Sequence, residues 1–377
     1  MNTKHIDAIA NAVLYEGYML YPYRPSSVKN RQRFNFGVLY PKAYSEAQSG
    51  SDAWNMQMEC LVKTTSLTNT SLTNTSLTGI EIRVRFLRLV DRSVRKLSKV
   101  EPGSALSSAS AYEVVSGLEV GDKTFAPWQE AIECEVTVSA CNLERLTSAP
   151  IDWTFAFPAK EEIELLRDAT GRLAGQIVRR REPVCGAVEI RAARVGEGVS
   201  KLTVRVKNVT PSVMTPVMTS EDAAREMGRD SSLMRSLVSV HVLLGVIAGE
   251  FVSLLEPPES FSELAKNCQN IRAWPVLVGV EGERDTMLAS PIILYDYPQI
   301  APESPGDLFD GTEIDEILAL RVMTMTDDEK NEMRNTDERA RKILERTESM
   351  PMEQLMKLHG TLRELRPSGL SAEEEMP

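Results

Sequence analysis

The middle of the chain is dominated by short runs in which apolar and polar residues alternate. Such runs occur at residues 80–86 (IEIRVRF), 132–138 (IECEVTV), 187–191 (AVEIR) and 202–207 (LTVRVK). A period of two places successive side chains on opposite faces of a strand, so one face can enter a core while the other meets water. Several such strands separated by polar turns predict an antiparallel, sandwich-like β-rich region.

Helical patterns mark the two ends of the chain. The N-terminal apolar residues with the spacing of one helix face are Ile6, Ile9, Ala10 and Val13. Pro22 ends this pattern, because proline cannot donate to the helical hydrogen-bond ladder. Near the other end, Thr326 and Glu329 have the spacing of a capping box, in which each side chain accepts from the backbone N–H of the other residue. We therefore predict an N-terminal helix and a helical C-terminal third.

The longest apolar run, Leu237–Leu255, has 19 residues, which is close to the minimum length of a membrane span. Glu250 and His241 lie within it, and no basic cluster marks one of its sides. We therefore predict no membrane span and interpret the run as part of a buried helix at 221–255. Strand patterns return at 275–280 and 287–295.

Together these patterns predict an α+β protein in four parts. The parts are an N-terminal helix and basic, aromatic connector (1–45), a β-rich domain (46–210), a helix with returning strands (211–302) and an acidic helical region (303–377). The alternative architecture has two separate sandwich-like β domains joined by the helix at 221–255.

Charge is distributed unevenly along the chain. The net charge of the 377 residues is −11, and residues 303–377 hold 19 acidic and 10 basic side chains. Residues 1–45 instead hold six basic and two acidic side chains. Affinity for duplex nucleic acid depends on a sizeable basic surface. The composition therefore argues against duplex binding and favours association through charged ends.

Cysteine usage gives no indication of a metal site. The five cysteines are odd in number and none has CxxC spacing, which favours a reducing, cytoplasmic environment over a disulfide framework or a zinc ribbon. Cys134 and Cys141 lie seven residues apart on a predicted strand, hence on opposite faces unless a bulge intervenes. Gly196-Glu-Gly198 lies between two alternating runs, so we interpret it as a hairpin turn rather than a dinucleotide loop. We predict neither a metal nor a cofactor.

A Ser-His-Asp or Cys-His nucleophile pair would have to use one of only three histidines, His5, His241 and His359. Serine and cysteine nucleophiles commonly need a histidine base, and neither a GxSxG nor an HExxH motif occurs. We interpret His241, within the apolar run, as a core histidine. A hydrolase with a site of dispersed residues, using Cys185 or His241, is the alternative to a non-enzymatic protein.

The candidate binding segment is the connector that follows the first helix. Its aromatic and basic residues are Tyr21, Tyr23, Arg24, Lys29, Arg31, Arg33, Phe34 and Phe36. Aromatic and basic side chains in this arrangement can stack on and pair with single-stranded nucleic acid, and they are equally typical anchors of protein interfaces. A packed connector with solvated bases is the third interpretation. We predict that the segment binds a protein partner.

Two stretches of the chain resemble a known family. The first is AVLYEGYMLYPYR (12–24) with SVKNRQR (27–33), and the second is PIILYDY (291–297) with APESPGDLFDGTEIDE (301–316). They resemble an uncharacterised bacterial family encoded beside oxygen-tolerant, actinobacterial-type NiFe hydrogenases. The resemblance implies a non-enzymatic accessory or assembly role, with a hydrogenase subunit or another accessory protein as partner. It implies no catalytic residues.

Overall fold

The computed structural model describes residues 3–15, 36–64, 78–98, 112–121, 123–211, 228–299, 319–336, 338–351 and 353. Its strands are β1 (Asn55–Thr64), β2 (Gly79–Leu97), β3 (Tyr112–Val115), β4 (Leu118–Val120), β5 (Lys123–Phe125), β6 (Trp128–Asn142), β7 (Ile151–Phe157), β8 (Lys160–Arg167), β9 (Leu173–Arg181), β10 (Val184–Gly196), β11 (Val199–Asn208), β12 (Val238–Ile247), β13 (Gly249–Val252), β14 (Trp274–Leu277) and β15 (Thr286–Ser290). Its helices are α1 (Thr3–Tyr15), α2 (Lys42–Ala47), α3 (Leu143–Ser148), α4 (Arg229–Leu233), α5 (Ser262–Lys266), α6 (Asp327–Thr336) and α7 (Glu338–Glu348).

The strands form two large antiparallel sheets and a small hairpin of β4 and β5. Sheet 1 has the order β13-β1-β11-β10-β7. Sheet 2 has the order β14-β15-β12-β2-β9-β8, and β6 and β3 also pair with β2. With helices at both ends of the described chain, this arrangement confirms the predicted α+β class and its antiparallel, β-rich middle.

The main core lies between the two sheets and is built from the apolar positions of the alternating runs. Val188 and Val204 of sheet 1 meet Val84 and Val136 of sheet 2 in this core. Polar residues between them, such as Arg205, point to the opposite faces. Burial of these apolar faces is the main force that holds the sheets together.

The prediction of a buried helix at 221–255 is wrong. Among its described residues, α4 is a short helix, and the apolar run forms β12 and β13. Val242 and Leu244 face the main core, whereas Leu243 faces α1 on the outer side of sheet 2. A strand that is covered on both faces is mostly apolar, and from Val242 onward β12 lacks the alternation that identifies a half-buried strand.

Strands from both sides of the predicted boundary at 210–211 share these sheets. β12 pairs with β2, and β13 pairs with β1. The division into four parts stays a prediction, while the N-terminal helix is confirmed. Its residues Ile6, Ile9 and Val13 pack on the outer face of sheet 2.

One long β-hairpin contributes to both sheets. Its arms pair as β7 with β10 in sheet 1 and as β8 with β9 in sheet 2. Both arms cross between the sheets over two residues, at Pro158-Ala159 and at Glu182-Pro183. Proline suits these corners, because it has no N–H to leave unpaired where the ladder is interrupted. The next hairpin, β10–β11, turns at Glu197-Gly198 as predicted, and Gly198 has a φ of +65°.

The described C-terminal residues are helical, as predicted. The capping box of α6 is present: Thr326 N donates to Glu329 Oε2 (2.8 Å), and Glu329 N donates to Thr326 Oγ1 (3.3 Å). Residues including Met333 and Leu344 form a separate apolar cluster between α6 and α7. Arg92 of β2 donates to Asn335 O (3.2 Å), which joins the helices to sheet 2.

Candidate protein-binding surface

Phe36 is the one predicted site residue that lies within the described residues. The other seven, Tyr21, Tyr23, Arg24, Lys29, Arg31, Arg33 and Phe34, lie outside them. The Phe36 side chain is 40% exposed. Its carbonyl oxygen accepts a hydrogen bond from Ser239 N (3.1 Å), so its backbone is fixed at the start of β12.

The next residue, Gly37, lies against the start of the second stretch that carries the family resemblance. Gly37 has a φ of +53°, and a Cβ at this position would lie 2.6 Å from Cβ of Pro291. Only glycine tolerates both the left-handed backbone and this close approach. The segment at 36–37 is therefore held against the first residue of the stretch at 291–297.

Alternate residues of the 291–297 stretch anchor it to the fold. Ile292 and Leu294 pack with Ile6 and Ile9 of α1 against the outer face of sheet 2. Because α1 leads into the first resembling stretch, the described parts of both stretches share this cluster.

Polar contacts fix the far end of the stretch. Asp296 accepts from Ser253 Oγ (2.5 Å) and from Leu277 N (2.7 Å). The Tyr297 hydroxyl donates to Glu283 O (2.9 Å). The backbone of 292–297 is therefore held along its length.

The intervening side chains, Ile293 and Tyr295, point outward. Tyr295 is 85% exposed and Ile293 is 69% exposed, the two highest values among the large apolar side chains of the described residues. We define Phe36, Ile293 and Tyr295 as the Phe36–Tyr295 surface. The contact between Gly37 and Pro291 places Phe36 within roughly 15 Å of Ile293, since consecutive Cα atoms are about 3.8 Å apart.

Sequence reasoning identified Phe36 but missed Ile293 and Tyr295 as surface residues. The run PIILYDY has apolar side chains at four consecutive positions, so its pattern does not distinguish the inward from the outward set. The outward set became visible only when α1 and sheet 2 were seen to cover the inward set.

A second group of aromatic and basic residues, next to α2, is structural. Lys42 Nζ lies 4.9 Å from the ring centroid of Trp54, and the Arg229 guanidinium lies 5.5 Å from that of Tyr40. Tyr40 and Tyr44 are buried, and burial raises the pKa of Tyr40 to about 12. These cation–π pairs stabilise residues 40–54, which connect the backbone bridge between Leu39 and Leu237 to the start of β1.

The geometry separates the two residues named for the alternative hydrolase. Cys185 alternates with the core residue Val184, so it lies on the outer face of sheet 1. His241 is fully buried beneath α1 on the outer face of sheet 2. The main core lies between them, and two sheets pack about 10 Å apart. They therefore cannot form a nucleophile–base pair.

The other buried thiols are not activated as nucleophiles. Burial raises the pKa of Cys134 and of Cys268 to about 11, so both stay protonated at neutral pH. The prediction that Cys134 and Cys141 lie on opposite faces is wrong, because a bulge in β6 turns both into the main core. In the described part of the chain, no three His, Cys, Asp or Glu side chains are arranged to hold a metal ion.

None of the helices in the described ranges is long and apolar enough to span a bilayer. Similarity to known proteins assigns no role to the Phe36–Tyr295 surface. The sequence matches no protein-family model, and it shows no significant similarity to a curated protein.

Proposed function

We propose that this chain is a non-enzymatic accessory protein that acts by protein–protein contact through the Phe36–Tyr295 surface. Its partner is a NiFe hydrogenase subunit or another protein that assists assembly of the hydrogenase. The resemblance of residues 12–33 and 291–316 supports this partner, and the exposure of Ile293 and Tyr295 supports the contact.

The exposure of Ile293 and Tyr295 carries the proposal. Large apolar side chains on a fixed backbone lose little conformational freedom when a partner covers them. Tyrosine is also enriched among the residues that dominate binding energy at interfaces. A partner with an apolar pocket would complement the exposed Ile293 and Tyr295 side chains, and acidic groups on the partner would complement the basic residues at 24–33.

The first test removes the outward side chains. We expect Ile293→Ser with Tyr295→Ala to weaken partner binding at least tenfold in a pull-down from the native host and in titration with the purified partner. The melting temperature should stay nearly unchanged, because surface substitutions usually alter stability by less than about 0.5 kcal/mol.

A matched control is Val114→Ser, which removes a 65% exposed apolar side chain from β3. This variant should bind like the wild-type protein. Equal binding by all three proteins would contradict a role for the Phe36–Tyr295 surface.

The second test concerns the basic part of the predicted binding segment. We expect the triple change Arg24→Ala, Arg31→Ala and Arg33→Ala to reduce partner binding at an unchanged melting temperature, since arginine grips carboxylates with two parallel hydrogen bonds. A large fall in melting temperature with retained binding would instead show that the three arginines are structural. Salt-sensitive binding of a single-stranded oligonucleotide that the triple change abolishes would favour the nucleic-acid alternative.

A further inference from the structure

A second candidate site lies at the Glu182-Pro183 corner of the long hairpin, close to two buried arginines, Arg88 and Arg235. Arg88 of β2 is 4% exposed, and Arg235, between α4 and β12, is 6% exposed. A guanidinium stays charged at neutral pH, so both positive charges are enclosed in the protein. Buried charges are normally paired with an opposite charge.

Neither Arg88 nor Arg235 forms an ion pair with another of the described residues. Arg88 donates only to carbonyl oxygens, those of Glu182 and Pro158. Arg235 has two unpaired donors: its Nε and Nη1 atoms are buried and have no hydrogen-bond acceptor in the described part of the chain.

The carboxylates of this region bind other arginines. Glu162 pairs with Arg181 Nη2 at 2.5 Å, and Glu182 pairs with Arg180 Nε at 3.2 Å. The neighbouring thiol of Cys134 contributes no negative charge at neutral pH, since burial raises its pKa to about 11. The corner therefore holds more positive than negative charge.

Backbone contacts place Arg88 and Arg235 at the same corner: Arg88 donates to Glu182 O, and Arg235 O accepts from Asn208, which pairs with Gly186 near the start of β10. Burial lowers the pKa of both Arg88 and Arg235, and the Glu182 carboxylate opposes that change at both. The charge of Arg181 lowers the pKa of Arg88 further, after burial. Glu182 is thus the common neighbour of Arg88 and Arg235, and Arg181 is a neighbour of Arg88.

The Arg235 backbone is held in place, which keeps its side chain at the corner. Arg235 N donates to Ser232 O (3.0 Å), and Arg235 O accepts from Asn208 Nδ2 (3.0 Å). Asn208 is itself fully buried and also donates to Leu39 O (2.8 Å). The orphan donors of Arg235 therefore belong to a fixed part of the fold rather than to a mobile loop.

We infer that Arg235, at the corner where Arg88 holds Glu182, forms a binding site for a small oxyanion, either a phosphate or a carboxylate. Guanidinium groups match the geometry of both oxyanions with paired hydrogen bonds. A bound oxyanion would accept from the orphan Arg235 donors and balance the enclosed positive charge. The site is independent of the proposed function.

The test is titration of the full chain with inorganic phosphate, and separately with acetate, in chloride buffer of constant ionic strength. We expect saturable heat release in calorimetry and a saturable rise in melting temperature for at least one of the two anions. The anion whose binding saturates, phosphate or acetate, identifies the class of oxyanion. Absence of saturable binding in both arms would overturn the site.

Three variants locate the binding. Arg235→Gln should weaken the affinity at least tenfold, whereas Arg194→Gln, which removes an exposed arginine paired with Glu144, should leave it unchanged. Glu182→Gln should strengthen it, because a competing negative charge is removed; this variant also decides the matter if Arg235→Gln does not fold. Unchanged affinity in Arg235→Gln, or weaker affinity in Glu182→Gln, would contradict the assignment.

Discussion

Arg88→Ala should lower the free energy of unfolding by about 3 kcal/mol, because it removes three hydrogen bonds of a buried guanidinium and creates a cavity. Arg88 Nη2 donates to both Pro158 O and Glu182 O at 2.6 Å, and Arg88 Nε donates to Glu182 O at 3.1 Å. These carbonyls belong to the two corners at which the long hairpin passes from one sheet to the other. A single guanidinium thus ties both crossings to β2.

The measurement is urea denaturation at pH 7, with hydrogen exchange to locate the effect. Exchange should accelerate most in β7–β10, because the crossings lose their common attachment. Arg88→Met is the informative second variant, since it fills most of the volume but supplies no donors. It should recover only the part of the loss that comes from the cavity.

The control for this prediction is Arg194→Ala, which removes an exposed arginine whose ion pair with Glu144 lies at the surface. It should change stability by less than about 0.5 kcal/mol, because exposed pairs contribute little. A loss below about 1 kcal/mol in Arg88→Ala would show that other contacts hold the crossings.

The free energy of unfolding should fall as the pH is lowered from about 6.5 to about 4, because His241 is protonated more readily in the unfolded chain than in the folded one. The imidazole is fully buried beneath α1, and its Nδ1 lies 3.0 Å from Ser239 O, which acts as acceptor. Its Nε2 is buried without a partner in the described residues. Burial lowers the pKa of His241 from 6.5 to about 4, and the nearby charge of Arg85 contributes in the same direction.

The sign follows from proton linkage. Between pH 6.5 and pH 4 the unfolded chain binds a proton at this histidine while the folded chain does not, so acid favours unfolding. The stabilising contribution is complete above pH 6.5 and is lost by about pH 4. A pKa difference of this size corresponds to roughly 3 kcal/mol.

Paired denaturation series from pH 7.5 to pH 4 for the wild-type protein and His241→Asn would measure this contribution. Carboxylates titrate in both proteins, so the difference between the two profiles isolates the histidine. Asparagine can retain the donor to Ser239 O but does not ionise. Parallel profiles would mean that His241 is accessible to protons in the folded state.

The structure also explains why the same region of sequence led to an error. His241 was correctly interpreted as a core residue, but the element that carries it was predicted as a helix and is β12. Val242 and Leu244 contact one core while Leu243 contacts another, so neither face of the run meets solvent. The β-branched valines at 238, 240 and 242 were the local signal that favoured a strand.

At the candidate site, too, part of the surface was predicted from the sequence and part was not. Phe36 followed from its position among aromatic and basic residues, and that prediction used the sequence alone. Ile293 and Tyr295 could not be separated from Ile292 and Leu294, because all four are apolar and consecutive. Their different exposures depend on α1, which is more than 270 residues earlier in the chain.

Features that depend on neighbouring residues follow from the local patterns of the chain. The alternating runs set which residues of β2, β6, β10 and β11 enter the core, helical spacing set the buried face of α1, and Thr326 with Glu329 set the start of α6. Tertiary structure alone decided the pairing of β12 with β2, the bend of the long hairpin around Arg88 and the outward position of Tyr295. Each of these three features depends on the surfaces that cover the segment. Those surfaces are formed by residues distant in sequence, so a local sequence pattern does not predict them.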